Sequence, residues 1–189
     1  MFIEPLLSSE RKGWIEVIAG CMFSGKTEEL IRRLKRARYA NLKVEIFKPA
    51  MDTRYDEESI VSHDESQIRS TPVSHSSNIL ILGAGSDVIG IDEVQFFDHG
   101  VVSVAQQLAN NGTRVIAAGL DMDYSGKPFG PVPSLLSVAE YITKVHAICM
   151  VCGDIASHSY RLSAGTEQVL LGEKEHYEPR CRRCFLKKL

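Results

Sequence analysis

The stretch Trp14-Ile15-Glu16-Val17-Ile18-Ala19 is apolar and β-branched at most positions, and it runs directly into Gly20-Cys21-Met22-Phe23-Ser24-Gly25-Lys26-Thr27. That order predicts a short buried strand entering a glycine-rich turn. From residue 27 to about 40 the apolar positions change to Leu30, Ile31, Leu34 and Ala37, a helical spacing. Glu28 and Glu29 open this helix, where the dipole favours negative charge. Arg32, Arg33, Lys35, Arg36 and Arg38 follow and are expected to form a solvated basic face. Residues 43–48 alternate and stop at Pro49, which predicts a second strand. Residues 50–78 are rich in Ser, Asp and His with little periodicity and read as a long, partly mobile segment. Val88-Ile89-Gly90-Ile91 reads as a third strand ending in Asp92-Glu93, 101–109 as a helix, Asn110-Asn111-Gly112 as a turn, and 114–120 as a fourth strand. Apolar strands alternating with helices imply an α/β fold whose parallel sheet is covered on both faces. Near Ala147 the pattern changes, because two cysteine pairs bracket a Gly- and charge-rich loop. The expected division is 1–146 and 147–189.

The turn has the spacing G-x-x-x-x-G-K-[ST]. Backbone N–H groups must curl inward around phosphate oxygens there, and glycine permits the positive φ this needs. Lys26 brings a point charge to the terminal phosphates, Thr27 offers a hydroxyl to Mg²⁺, and the next helix presents its N-terminus to the same anion. A Mg²⁺-triphosphate site also needs a carboxylate at the end of a neighbouring strand, and Asp92 fits. Glu93 admits two chemistries: polarising water for hydrolysis, or accepting a proton from a substrate hydroxyl.

Composition narrows the picture. The 189 residues make one ordinary domain, or one domain with a small appendage, and a net charge of −2 gives no global case for nucleic acid or a membrane surface. No apolar stretch reaches spanning length, and the start, with Glu4 and Pro5, does not resemble a secretory signal, so the expected location is the cytoplasm. Asn111-Gly112-Thr113 fits a glycosylation acceptor but reads better as a loop. Four of the five cysteines form the pairs Cys149/Cys152 and Cys181/Cys184. Two such knuckles can supply tetrahedral S₄ coordination to a structural Zn²⁺, with a redox pair as the alternative. Arg180, Arg182 and Arg183 flank the second knuckle, which leaves a nucleic-acid-coupled ATPase as the competing reading.

The ordered set GCMFSGKT, DTRY (52–55), DEVQFF (92–97), GLDMDYSGKPFG (119–130), AICMVCG (147–153) and YEPRCRRC (177–184) resembles the type II thymidine kinases, the zinc-containing tetrameric family. The resemblance runs from Gly13 to Cys184. It implies a P-loop α/β core with a zinc-ribbon lid, a homotetramer, and transfer of the γ-phosphate of ATP to thymidine or deoxyuridine with no nucleic-acid partner. Glu93 matches the family's catalytic base. Lys26 would neutralise the transferring group, and Thr27 and Asp92 would hold Mg²⁺. Asp52 and Arg54 match a pair near the phosphates, and Gln95 would join the loop residues around the nucleotide. Met22, Phe96, Leu120, Tyr124 and Phe129 match the thymine pocket. Gln168, Val169, Leu170, Leu171 and Gly172, with Tyr177, match a lasso over the base that the zinc would anchor. dTTP would act as feedback inhibitor. Three positions depart from the family pattern: Cys21 makes the phosphate loop a candidate oxidation site that bound nucleotide should shield, Val94 is bulkier than usual, and Tyr124 replaces a frequent Phe.

Overall fold

The structure, a computed structural model, describes residues 12–51, 59–61, 67–163 and 176–187. In chain order its elements are β1 (Trp14–Ala19), α1 (Lys26–Tyr39), β2 (Val44–Pro49), β3 (Ser59–Val61), β4 (Gln67–Arg69), β5 (Thr71–Val73), α2 (Ser77–Leu82), β6 (Val88–Ile91), α3 (Gly100–Asn110), β7 (Arg114–Gly119), α4 (Val132–Val138), β8 (Tyr141–Lys144), β9 (Ala147–Ile148), β10 (Ile155–Ala156), β11 (His158–Arg161), β12 (Tyr177–Arg180) and α5 (Arg182–Leu186). Six strands form one sheet in the order β5-β2-β6-β7-β1-β8, and every pairing in it is parallel.

Side chains alternate between the two faces of a strand, and the two cores follow that alternation. Ile15 and Val17 on β1, Ile89 and Ile91 on β6, and Val115 and Ala117 on β7 pack with Val101, Val104 and Leu108 of α3 and Leu135 of α4. Ile18, Val88, Ile116 and Ala118 face the other way, against Leu30, Ile31, Leu34 and Ala37 of α1. The sheet is therefore covered on both faces. Among the described residues no helix is long and apolar enough to cross a membrane.

Glu16 breaks the apolar pattern of β1 and is completely buried. Its carboxylate lies 2.7 Å from Arg33 Nη1 and 2.6 Å from Arg114 Nε. It also accepts a 2.7 Å hydrogen bond from the Trp14 indole N–H. Arg33 reaches onward to Glu29 at 2.8 Å and donates to Thr143 Oγ1 at 2.8 Å. This corrects the reading of the basic run on α1 at one position: Arg33 is fully buried and fastens the helix to β1 and β8, while Arg114 on β7 meets the same Glu16 carboxylate. A strand carboxylate facing the helix supplied the missing partner, which no helical spacing reveals.

The segment expected to be long and mobile contains structure in its described parts. β3 and β4 pair antiparallel, and β5 joins the sheet edge beside β2. Pro72 is tolerated in β5 because an edge strand can forgo one ladder hydrogen bond. β8, at the opposite edge, and α4 were also missed; each is short, and β8 is only half covered. After β8 the chain leaves the sheet and forms the antiparallel pairs β9–β10 and β11–β12.

Glu16→Ala leaves two guanidinium groups without their buried carboxylate. The expected loss is about 3–5 kcal/mol of stability, read as a fall in Tm on the order of 10 °C; an unchanged melting curve would show the network to be dispensable. Side-chain hydrogen bonds from Arg32 hold the Glu29 carboxyl at about 2 against an ordinary 4.5, with Arg33 adding to the effect and burial opposing it. A depressed carboxylate stabilises the fold above its unfolded pKa. The stability difference between wild type and Glu29→Gln should accordingly be complete above pH 4.5 and vanish as pH falls towards 2.

Candidate active site

The parallel strands direct their C-terminal ends to one edge of the sheet, where such folds place their ligands. β1 ends at Ala19, the loop of residues 20–25 follows, and α1 starts at Lys26. Gly25 adopts φ +82°, the left-handed conformation that lets the loop turn into the helix. Lys26 Nζ donates to the Cys21 carbonyl at 2.8 Å, and Ser24 Oγ donates to the same oxygen at 2.7 Å. Thr27 Oγ1 donates to Asp92 Oδ2 at 3.3 Å. Residues 65 positions apart thus meet because α1 begins beside the end of β6.

Cys21 is 2% exposed, and its thiol donates to the Ala156 carbonyl at 3.4 Å. Burial pushes the thiol pKa up, and thiols react as thiolates. This corrects the expectation of an oxidation-prone loop, because the sulfur is covered and burial disfavours the reactive thiolate. Val94 likewise lies wholly inside the larger core, which accommodates its extra bulk.

Glu93 follows Asp92, whose Oδ1 accepts its backbone N–H at 3.0 Å. Its φ of 49° is left-handed, a strained conformation for a residue with a side chain. A 3-10 turn, Val94–Phe96, follows immediately. Gln95 donates its amide N–H to Glu93 Oε2, and its carbonyl accepts the Leu120 N–H at 3.0 Å. One buried amide therefore ties the Glu93 carboxylate to the end of β7. Gly130 leaves room for this turn: at φ +50°, a Cβ there would stand 2.4 Å from the Gln95 carbonyl.

The aromatic residues expected at the pocket fall into two groups. Phe96 and Phe129 meet edge to face with centroids 5.7 Å apart. Tyr124 and Tyr177 both contact Arg161, whose guanidinium lies 3.8 Å from the Tyr124 ring centre. Met22 donates its backbone N–H to Ser159 Oγ at 3.0 Å. Ser159 and Arg161 were not anticipated, although the alternation in His158-Ser159-Tyr160-Arg161 places both on one face of a strand. Asp52, Arg54, Gln168, Val169, Leu170, Leu171 and Gly172 lie outside the described residues.

Cys149, Cys152, Cys181 and Cys184 converge, with all four sulfurs within 4.8 Å of one another. The turn after β9 supplies the first knuckle and the start of α5 the second, and Met150 N joins them by donating to the Pro179 carbonyl at 3.0 Å. Cys152 and Cys181 Sγ are 3.6 Å apart, close to the spacing of about 3.8 Å set by a tetrahedron with Zn–S bonds of about 2.3 Å. Burial opposes ionisation of Cys149, yet backbone N–H groups of Cys181, Val151 and Cys152 hold it at about 6. Burial and the neighbouring sulfurs push Cys184 up to about 12. Sulfurs crowded in this way repel once ionised, and a bound divalent ion relieves that repulsion. The donor set fits zinc. Arg180, one of the flanking arginines, is buried: it stacks on Tyr160 at 3.5 Å and pairs with Glu178 at 2.6 Å.

A glycine loop, a strand-end acid with a second carboxylate beside it, and a four-cysteine module define a P-loop nucleotide enzyme with an appendage able to hold a metal. The thymidine kinase family model matches residues 13–185, and the chain belongs to that family. It is 60% identical to the thymidine kinase of Bacteroides thetaiotaomicron over 184 residues, covering 97% of this chain and 92% of the relative. The Rhodothermus sp. thymidine kinase is 59% identical over 187 residues, 98% of this chain and 88% of its own. That of Bdellovibrio bacteriovorus is 53% identical over 175 residues, 92% and 86% respectively.

Purified protein should carry one tightly held zinc per chain by elemental analysis, and Cys152→Ser should lose it. Because a structural metal contributes folding energy, the variant's appendage should exchange amide hydrogens faster. Stoichiometric zinc in Cys152→Ser would rule out the four-sulfur site.

Proposed function

We propose that the chain transfers the γ-phosphate of ATP to the 5′-hydroxyl of thymidine or deoxyuridine, giving dTMP or dUMP and ADP. The observation that carries this reading is the meeting of Thr27 with Asp92 while Glu93 stands next along the chain, held by Gln95. The phosphate loop and the paired carboxylates then divide the work. Lys26 and the loop of Gly20, Cys21, Met22, Phe23, Ser24 and Gly25 hold the phosphates, the Met22 N–H itself being engaged by Ser159 Oγ. Thr27 and Asp92 would hold Mg²⁺, which would neutralise developing charge on the phosphates. Glu93 accepts the 5′-hydroxyl proton as that oxygen forms its bond to the γ-phosphorus and the bond to the ADP oxygen breaks. Such proton acceptance is worth about 10²–10⁴-fold in rate. Arg54 adds positive charge at the transferring group, and Asp52 pairs with it near the phosphates.

The nucleoside sits among Met22, Phe96, Leu120, Tyr124 and Phe129. Tyr177 and the lasso residues Gln168, Val169, Leu170, Leu171 and Gly172 close over the base. Main-chain donors and acceptors there read the edge that thymine and uracil share; cytosine presents an amine in place of a carbonyl and is rejected. Residues 147–189 act as a zinc-ribbon lid on a core of 1–146. The assembly is a homotetramer in the cytoplasm, and dTTP inhibits it by occupying the site as substrate and donor mimic at once. Support for all of this is the family membership together with the geometry of the loop, the acids and the four sulfurs.

The test is phosphoryl transfer from Mg·ATP to thymidine, deoxyuridine, deoxycytidine and deoxyadenosine, with a nucleoside-free control for bare hydrolysis. Only the first two should be phosphorylated. Glu93→Gln is expected to retain ATP binding and lose 10²-fold or more, roughly, in kcat. ATP loss in the control with no nucleotide product, or near-normal turnover in Glu93→Gln, would overturn the reading.

A further inference from the structure

Arg161 is an arginine that the chemistry above does not use, yet it is only 8% exposed. On β11 it lies directly across from Tyr177 on β12. Its Nη2 and Nε both donate to the Tyr177 hydroxyl oxygen, at 2.7 and 3.2 Å. The flat face of the same guanidinium covers Tyr124, with Cζ 3.8 Å from the ring centre, and stands 5.3 Å from the centre of Tyr177. Tyr124 belongs to the loop after β7, whereas Arg161 and Tyr177 belong to the cysteine-bearing appendage. A single side chain therefore contacts two aromatic residues from the two sides of the proposed nucleoside pocket.

A guanidinium has two distinct recognition surfaces: a planar face that stacks on an aromatic ring and an edge that donates several parallel hydrogen bonds. Here Tyr124 takes the face and the Tyr177 hydroxyl takes the edge. The plane of the cation consequently fixes one ring relative to the other. Lysine would keep the charge but has neither a plane nor a fork, so it could satisfy one tyrosine without orienting the second. Neighbouring contacts strengthen the placement, since Ser159, two residues earlier on the same strand face, holds the Met22 N–H of the phosphate loop.

We propose that Arg161 is a positioning residue for the nucleoside, setting the separation and tilt of Tyr124 and Tyr177 without touching the reacting atoms. The proposal rests on the thymidine kinase reading, because it requires those tyrosines to line the nucleoside site. It assigns to Arg161 an effect on thymidine binding and none on ATP, whose phosphates are held by the loop and α1.

Steady-state kinetics of Arg161→Lys and Tyr177→Phe in the zinc-loaded full chain test it. In Arg161→Lys the KM for thymidine should rise about tenfold to thirtyfold, the worth of a desolvated cation–π contact. The KM for ATP and the kcat should stay within about twofold. Tyr177→Phe removes only the oxygen that accepts from Arg161 and should raise the thymidine KM about threefold or more, the worth of a hydrogen bond to a charged group. The double variant should be no worse than Arg161→Lys alone, because both changes break one interaction. An unchanged thymidine KM in Arg161→Lys, or equal losses for thymidine and ATP, would overturn the proposal. If Arg161→Lys does not fold, Tyr177→Phe decides alone, and an unaltered KM there refutes it. Wild-type protein that fails to phosphorylate thymidine would instead sink the functional reading, a result distinguishable from either.

Discussion

A carboxylate cannot stay ionised inside a sheet unless cations reach it, and that requirement organises this molecule. Glu16 faces the layer between β1 and α1, so α1 must present an arginine and β7 another at the same depth. Meeting it fixes the rotation of α1 about its own axis and its height along the sheet. The phosphate loop is the segment between β1 and α1, so its two ends are set by the same charge network. The apolar contacts of Leu30, Ile31 and Leu34 hold the helix on the sheet but tolerate sliding, because hydrophobic attraction has little directionality. Hydrogen-bonded charges do not tolerate it.

From that anchored loop, contacts run towards the cysteine module. Cys21 bonds the Ala156 carbonyl and Met22 bonds Ser159, so the inner wall of the loop is partly built from residues of the appendage. Cys21 even shares an apolar cluster with Cys149, Cys181 and Cys184. The four-cysteine cluster and the inner wall of the phosphate loop consequently belong to one packed unit. An ion held by those four sulfurs would act on the phosphate loop through ordinary packing.

The sequence was most readable where one physical signal acted alone. The strand Val88–Ile91, and β7 from Val115 onward, are apolar because both their faces are covered, and the spacing on α1 has a single apolar stripe. Glycine and lysine in the phosphate loop have few alternative uses, and paired C-x-x-C knuckles have fewer still. Legibility failed where a residue's meaning depends on a partner far along the chain. Arg33 looks like any exposed helix arginine until Glu16 is placed opposite it, 17 residues earlier. Arg161 gives no local signal of its place between two tyrosines. The strands at the sheet edges, β5 and β8, are short and half covered, so neither hydrophobicity nor length marks them. The bonds of Gln95 to Glu93 and to the Leu120 backbone likewise become visible only once β6 and β7 lie side by side.

The backbone of Glu93 carries a different lesson. With φ at 49° it occupies a region that glycine enters freely and asparagine readily, and that other side chains enter at a cost of order 1–3 kcal/mol. Local conformational preference and the proposed proton transfer therefore ask for different residues at this position. A lineage that kept this fold as a binding scaffold and abandoned the chemistry would gain stability by drifting there to glycine or asparagine. Persistence of an acid at such a point in a related chain is thus a mark of retained turnover that can be read from one dihedral angle and one letter.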